Sequence, residues 1–411
     1  MNLNNRIVTL FVLLALVVSN ILFCNGQTIN YPDRKSNPLS PIMLAGDWVP
    51  ENTHDINFSN LPHISSTHSV ISDVRYAWGT KTNQHNYLTY FDGQYWAMWS
   101  DGPGVPHEEF TAREHRNICP GHDRPGQMVS YSTSKNGIDW TEPRYLTDPP
   151  FIDGFGWIAR GFWIRDEKLL ALVTLYNAPN YRGEGLQLHA YEMVSDKNRC
   201  WQHKGLVYDN AMNNFPPKML PNGEWMMSRR DSVGDVHMLI GGAKEFDKWK
   251  SVPIINYLNE DVRAEEPYWL LVPDNNLVAF FRDNKRSGFL FRAFSKDNGD
   301  TWTRPVRTNF PDATSKFSGL RLKDGRYVIV SNSNPQKRDP LTIAISDDGL
   351  VFNKMGYLIG WRHIDYPHVI EHDGYLLVAF AGAKQTVEVL KIPIEELNSL
   401  KMPSLQEIVK K

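Results

Sequence analysis

The stretch Ser295-Lys-Asp-Asn-Gly-Asp-Thr-Trp302 has the form S-x-D-x-G-x-T-W. Asp297 and Gly299 are turn residues, and Trp302 opens the next strand with a large apolar side chain suited to a gap between sheets. Two shorter relatives, Ser134-Lys-Asn-Gly-Ile-Asp-Trp140 and Ser346-Asp-Asp-Gly-Leu-Val-Phe352, repeat serine, Asx, glycine and an aromatic in the same order. The three serines stand 161 and 51 positions apart, so the longer interval is close to three of the shorter. A repeat of this length is one four-stranded propeller blade.

Six segments support that period. Each has an apolar strand, an Asx-containing turn and a second apolar strand, the turns being Asp92-Gly93, Asp166-Glu167, Asn222-Gly223, Asp274-Asn275, Asp324-Gly325 and Asp373-Gly374. This is a hairpin signal repeated at blade spacing. No long 3.6-residue pattern follows the N-terminus, so the fold class is all-β with at most a turn or two of helix. Ordered sequence from about Pro41 to Ile394, divided by the repeat, favours a seven-bladed β-propeller, with six blades as the alternative. Strand-like pieces within 42–81 either build the seventh blade or close the ring against Val387 to Ile394.

The chain of 411 residues opens with Arg6, an apolar run from Ile7 to Phe23, and Cys24-Asn-Gly26. This reads as a cleaved secretory signal over residues 1–26, and an exported protein, secreted or periplasmic, is expected. A membrane anchor is the rival reading, but the run lacks a basic stop-transfer flank. A tail over 27–40, a single propeller domain over 41–397 and a C-terminal tail over 398–411 complete the expected organisation. Charged residues make up 22% and the net charge is −2, which gives no bulk pull toward nucleic acid or membranes. Beyond the signal only Cys119 and Cys200 remain, so one intramolecular disulfide is the maximum.

In a propeller the first strand of each blade starts at one face and the second returns to it, so the residues at those two ends surround one central mouth. Counting back from the turns places His85, Arg160, Asn214, Glu266, Lys316 and Tyr366 there. Counting forward places Tyr176, Arg230 and Arg282, the two arginines each followed by Asp in the pairs 230–231 and 282–283. So many cations at equivalent positions fit a pocket for an anionic ligand, since Arg forks match carboxylates; strand-end solvation and inter-blade ion pairs are the plain alternative. No cofactor is required by this reading. His115, Cys119 and His122, spaced His-x3-Cys-x2-His in a polar insertion between Gly102 and Gly126, are a possible metal set without a visible fourth ligand. His68 is a second candidate catalytic histidine, although a lone His beside a strand is more often structural.

The S-x-D-x-G-x-T-W turn resembles the Asp-box of the sialidase-like superfamily. More narrowly, the sequence from Asn83 to Gly104, Pro221-Asn-Gly-Glu-Trp-Met226 and Arg338-Asp-Pro-Leu-Thr-Ile-Ala-Ile-Ser346 resemble glycoside hydrolase family 145. That resemblance implies a seven-bladed propeller acting on L-rhamnose linked α-1,4 to D-glucuronate, as an α-L-rhamnosidase or a rhamnose-glucuronate lyase; ulvan lyases of similar fold attack a related linkage. True sialidases are a weaker match, because no Phe-Arg-Ile-Pro stands near the expected mature N-terminus. The insertion from Pro106 to Arg124 departs from the compact loop of the group.

On a rhamnosyl-glucuronate, Arg230 and Arg282 would neutralise the carboxylate, His85 would be the general base, and Tyr176 the acid. Glu266 and Lys316 would orient hydroxyls, with Arg160, Asn214, Arg338 and Tyr366 completing the substrate contacts. The expected partner is an acidic polysaccharide or oligosaccharide, with neither nucleic acid nor, after signal cleavage, membrane. An exo-sialidase and a non-catalytic glycan-binding propeller are the competing functions.

Overall fold

In the computed structural model the described residues are 42–75, 81–103, 124–178, 185–195, 200–256 and 262–409. They form six four-stranded antiparallel sheets. The first strand, β1 (Thr67–Asp73), belongs to the last sheet. Blade 1 follows with β2 (Thr82–Phe91), β3 (Gln94–Gly102), β4 (Met128–Ser134) and β5 (Arg144–Tyr145). Blade 2 contains β6 (Phe155–Arg165), β7 (Lys168–Asn177), β8 (Gln187–Ser195) and β9 (Cys200–Asp209). Blade 3 contains β10 (Lys218–Met219), β11 (Trp225–Arg230), β12 (Val236–Gly241) and β13 (Trp249–Ile255). Blade 4 contains β14 (Ala264–Leu271), β15 (Leu277–Asp283), β16 (Phe289–Ser295) and β17 (Val306–Pro311). Blade 5 contains β18 (Ser318–Arg321), β19 (Tyr327–Ser331), β20 (Leu341–Ser346) and β21 (Phe352–Ile359). Blade 6 takes β22 (Ile364–His372), β23 (Tyr375–Gly382) and β24 (Thr386–Pro393), and β1 pairs antiparallel with β24 as its fourth strand.

The ring therefore has six blades, the alternative count, and not the favoured seven. Division by the repeat overcounted because residues 42–66 form no blade. They run beside blade 5, with parallel bridges Leu44–Phe352 and His63–Tyr357, before β1 closes the ring against β24. Residues 398–409, set apart on sequence grounds as a tail, pack onto this same segment. Val409 bridges Ile56, Asn57 N–H donates to Ile408 O at 2.6 Å, and Ile408 is fully buried.

Both faces of each blade are covered, so inner strands read as nearly unbroken apolar runs. In Lys168-Leu-Leu-Ala-Leu-Val-Thr-Leu-Tyr-Asn177 only the two end residues are exposed. The core is correspondingly divided among the blade interfaces. Tyr87, Trp96 and Met98 meet Trp157, Ala171 and Val173 between blades 1 and 2. Leu377 and Val389 meet Leu88 and Trp99 where blade 6 adjoins blade 1.

The sequence turns are hairpins as expected. At Asp92-Gly93, Asp166-Glu167 and Asp373-Gly374 both central residues have positive φ, the primed geometry that matches strand twist. The Asp-box turns join third to fourth strands. In blade 4, Ser295 Oγ donates to Asp297 Oδ1 at 2.8 Å and accepts Gly299 N–H at 2.9 Å, while Thr301 N–H reaches Asp297 Oδ1 at 2.9 Å. Ser346 and Asp348 repeat this in blade 5, and Ser134 with Asn136 in blade 1. Gly299 has φ +89°, and a Cβ there would fall 2.6 Å from Met226 Sδ of blade 3, so the turn packs against the preceding blade. The aromatics Trp140, Trp302 and Phe352 share the same inter-blade position but not the same depth. Phe352 is fully buried, whereas the two tryptophans are half-buried. Among the described residues the one α-helix is Leu405–Ile408.

Candidate functional site

The mouth is built by interruptions in the first strands. Register skips between Gln84 and Tyr87, Ala159 and Gly161, Glu265 and Tyr268, and Asp365 and His368 make four bulges. Their extra residues include His85 (φ +56°), Arg160, Glu266 (φ +55°) and Tyr366 (φ +54°). Bulges re-aim side chains and are common beside active sites, and positive φ in residues of this size is rare outside specified geometry. Blades 3 and 5 instead begin their pairing late, after Asn214 and Lys316. One side chain per blade is thus His85, Arg160, Asn214, Glu266, Lys316 and Tyr366, and all six are buried.

Contacts among them define one cluster. The His85 and Tyr366 rings stack with centroids 4.7 Å apart. His85 Nδ1 lies 3.2 Å from Ser100 Oγ, which also accepts Ala159 N–H at 2.9 Å. Arg282 Nε lies 3.1 Å from Glu266 Oε2, and Arg230 Nη1 2.6 Å from Glu265 Oε2. Arg338 pairs with Asp365, donates to Thr314 O at 2.8 Å, and sits 5.7 Å from the Tyr366 ring centroid. Lys316 Nζ donates to Tyr87 Oη at 2.6 Å.

These charges set one another. Burial opposes ionisation of Glu266, yet Arg282, Arg230, Lys316 and Arg160 hold its carboxyl below the usual range. Burial takes the Lys316 ammonium well below a usual lysine pKa. Asp312, in the connection between β17 and β18, goes the other way. Burial pushes its carboxyl up to about 7, against the pull of Arg282 and Arg338.

The mouth also concentrates unsatisfied polar atoms. Both side-chain amide atoms of Gln84, Asn86, Asn214 and Asn332, together with Asp312 Oδ1 and Arg160 Nε, are buried without a hydrogen-bond partner. Leaving such a group unpaired costs about 1–3 kcal/mol. Asn214 precedes β10 and Asn332 follows β19, so both stand at strand ends on the mouth side.

Other candidates fall elsewhere. Tyr176 is fully buried in a small cluster with Ile158, Leu186 and Met212, and Met212 Sδ accepts from Arg230 at 3.5 Å. Tyr366, by contrast, stacks on His85. His68 lies on the outermost strand of blade 6, with Nε2 2.6 Å from Glu388 Oε2. In the two Arg-Asp pairs the acids cap turns. Asp231 Oδ1 accepts N–H from residues 233, 234 and 235, and the Asp283 carboxylate accepts from Lys285 and Ser287. Asp231, Asp235 and His237 group their ligand atoms, but Arg229 Nη2 stands 3.6 Å from Asp231, a competing cation. His115, Cys119 and His122 lie outside the described residues, as does the expected signal peptide.

Participants missed from the sequence include Tyr87, Ser100, Glu265, Asp312 and Asp365. Tyr87 lies two positions beyond His85, but the bulge between Gln84 and Tyr87 breaks the alternation that would have related the two. Glu265 and Asp365 each precede a bulge residue. Asp312 had no periodic signal.

A sequence profile of the BNR repeat-like domain matches residues 129–378. Among solved structures, a protein of unknown function from Dyadobacter fermentans is 18% identical with a TM-score of 0.61, over 81% of this chain and 100% of its own. The NanB sialidase from Streptococcus pneumoniae is 11% identical with a TM-score of 0.59, over 81% of this chain and 71% of that one. The intramolecular trans-sialidase from Ruminococcus gnavus is 13% identical with a TM-score of 0.58, over 81% and 99%. The chain spans 35% of another neighbour, titled a sialidase. Identities this low establish the fold alone. No curated protein matches the sequence.

Proposed function

This chain belongs to the BNR repeat-like domain family, and from that premise we propose that it is an exported carbohydrate-active enzyme that takes an acidic saccharide into its central mouth. The observation that carries the reading is the set of buried arginines, Arg160, Arg230 and Arg282, that act on the one Glu266 carboxyl, with the buried amides of Asn214 and Asn332 at strand ends on the same side. A polyhydroxylated ring bearing a carboxylate has the matching acceptors and donors.

The bond we assign is the L-rhamnose–D-glucuronate linkage, cleaved by β-elimination. Arginine pairing of the uronate carboxylate stabilises charge that develops when the C5 proton leaves. His85 takes that proton. In the tautomer this requires, Nδ1–H donates to Ser100 Oγ and Nε2 carries the lone pair. The C4–O bond breaks, a C4=C5 double bond forms, and Tyr366, stacked on His85, protonates the departing oxygen. Tyr366 thus takes the role that the sequence suggested for Tyr176.

Asp312 favours a second reading, hydrolysis. Asp312, pushed up to about 7, and Glu266, held below the usual range, both feel Arg282, and such a separation of titrations divides acid from base. Incubating the full chain with rhamnosyl-glucuronate oligosaccharides separates the readings. A rise in the ultraviolet absorbance of a conjugated double bond supports elimination. Free rhamnose without that absorbance supports hydrolysis, and sialic acid released from a sialylated oligosaccharide supports an exo-sialidase. Affinity with no product overturns the enzyme reading in favour of a binding propeller.

A further inference from the structure

Trp361 is 85% exposed, the most exposed large hydrophobic side chain among the described residues. It lies in the connection from β21 to β22, on the rim of the mouth, with φ +67°. A bulky residue in the left-handed region carries strain that its surroundings must hold in place. The restraints are specific. Trp361 N–H donates to Asp339 Oδ1 at 2.8 Å, and Asp339 Oδ2 binds Lys337 Nζ at 2.8 Å. Gly360 cannot be larger, since a Cβ would fall 2.1 Å from the Tyr357 hydroxyl. On the other side, Arg362 forks onto Glu388 with bonds of 2.9 and 2.6 Å.

The charges around the indole are sorted by depth. Lys337 and Arg362 have side chains 63% and 32% exposed, whereas their partners Asp339 and Glu388 are 15% and 1% exposed. In each pair the acid lies deeper than the base, so the cation is the member more accessible to a ligand. The platform is also fixed to the mouth: Asp339 follows Arg338, whose carbonyl accepts Ile364 N–H at 2.9 Å and whose guanidinium pairs with Asp365.

We propose that Trp361, with Arg362 and Lys337, is a second saccharide subsite, binding an anionic sugar ring adjacent to the one held in the mouth. The apolar face of a pyranose stacks on the indole, and its carboxylate or sulfate meets the guanidinium and ammonium. The chemistry of this occupant rests on reading the mouth as an acidic-saccharide site. The subsite makes the preferred substrate a chain and not a single sugar.

The test compares free D-glucuronate with an oligosaccharide of four rhamnose and glucuronate residues, by calorimetry and tryptophan fluorescence on the full chain. The wild type is expected to favour the oligosaccharide, and Trp361→Ala to lose about tenfold of its oligosaccharide affinity, with Trp361→Phe recovering part. The exposed side chain lets these variants fold, which thermal melting checks. Lys337→Ala is expected to weaken oligosaccharide binding most at low salt. Loss of the length preference in Trp361→Ala, with Arg282→Lys weakening both ligands, supports subsite and mouth together. Trp361-dependent binding indifferent to Arg282→Lys supports the subsite and overturns the mouth reading. A length preference unchanged in Trp361→Ala overturns the subsite alone, and no binding of either sugar by the wild type overturns both.

Discussion

Lys316 of blade 5 donates an Nζ–H to the hydroxyl of Tyr87 in blade 1 at 2.6 Å. The same hydroxyl donates its proton to the carbonyl of Asn214 in blade 3 at 2.9 Å. Burial raises the Tyr87 pKa, so the phenol keeps that proton. Lys316 Nζ also lies 4.0 Å from the Tyr87 ring centroid and 4.9 Å from that of Phe215. Three blades thus meet through one phenol oxygen, which makes a floor for the mouth.

Tyr87→Phe removes an acceptor from a buried amine and a donor from a buried carbonyl, and should destabilise by about 1–3 kcal/mol. Adding Lys316→Met removes the stranded donor and should restore part of the loss. Urea denaturation of both variants measures this. A single variant as stable as the wild type would mean that the three blades are not held together through this oxygen.

His85→Ala should lower kcat by about two to four orders of magnitude with little change in melting temperature. Tyr366→Phe keeps the ring stack and removes only the phenol, so a comparable defect identifies Tyr366 as the proton donor. Tyr176→Phe, altered inside an apolar cluster, should cost less. Steady-state rates on a rhamnosyl-glucuronate substrate give the ranking, and a larger defect in Tyr176→Phe than in Tyr366→Phe reverses the assignment.

Much of the architecture was legible because it repeats. Strand, turn and strand recur at one spacing, and the Asp-box residues use local hydrogen bonds that need no distant partner. Blade count was less legible because residues 42–66 carry apolar side chains such as Met43, Trp48 and Phe58, yet spend them on the interface of blades 4 and 5. The mouth positions followed from counting along strands, a local operation. Orientation did not. Tyr176 lies at a strand end as expected, but turns into a cluster with Met212, and no strand count reports that. Asp312 lies in an irregular connection, where neither period nor turn chemistry locates a side chain.

Arg230 and Arg282 separate stability from recognition in an instructive way. Arg230 is buried and bonded to Glu265, which is 1% exposed and has Arg282 Nη2 4.0 Å away as a second cation, so Arg230→Ala removes the nearer partner of a buried carboxylate and should destabilise by about 1–3 kcal/mol. Its effect on substrate is then mixed with a folding defect. Arg282→Lys retains the charge near Glu266 but loses the planar fork, and should raise KM for a uronate substrate with a smaller effect on thermal stability. Melting curves and kinetics on both variants decide; an unchanged KM in Arg282→Lys would exclude this guanidinium from carboxylate recognition.

Asp312 predicts a pH dependence with a definite sign. Its pKa rises from 3.8 to about 7 on folding, so the folded state holds the proton more tightly than the unfolded chain. The associated stability is fully present below the unfolded value and is lost as pH rises through the folded one, by about 1.4 kcal/mol for each pH unit between the two. Asp312→Asn cannot ionise and escapes this loss. Its advantage over the wild type should grow from about pH 4 to about pH 7 and then level off, as read by denaturation at a series of pH values. A difference that does not change with pH would mean that the carboxyl is ionised in the folded protein.

The Asp-box aromatics should differ in what they contribute, although they occupy equivalent positions. Phe352 is fully buried among Phe280, Phe310 and Met355, and its ring meets Phe280 and Phe310 nearly edge-on at 6.2 and 5.8 Å. Phe352→Ala leaves a cavity between blades 4 and 5 and should destabilise by about 3–5 kcal/mol. Trp302 is half-buried, and its indole N–H closes back onto Gly299 O at 2.9 Å within its own turn. Much of that side chain therefore supports local geometry and not the interface, so Trp302→Ala should cost less despite removing the larger group. Equilibrium denaturation of the two variants tests the order. If Trp302→Ala proves the more damaging, depth in the interface is not what sets the weight of these residues, and the turn itself must be holding the blades together.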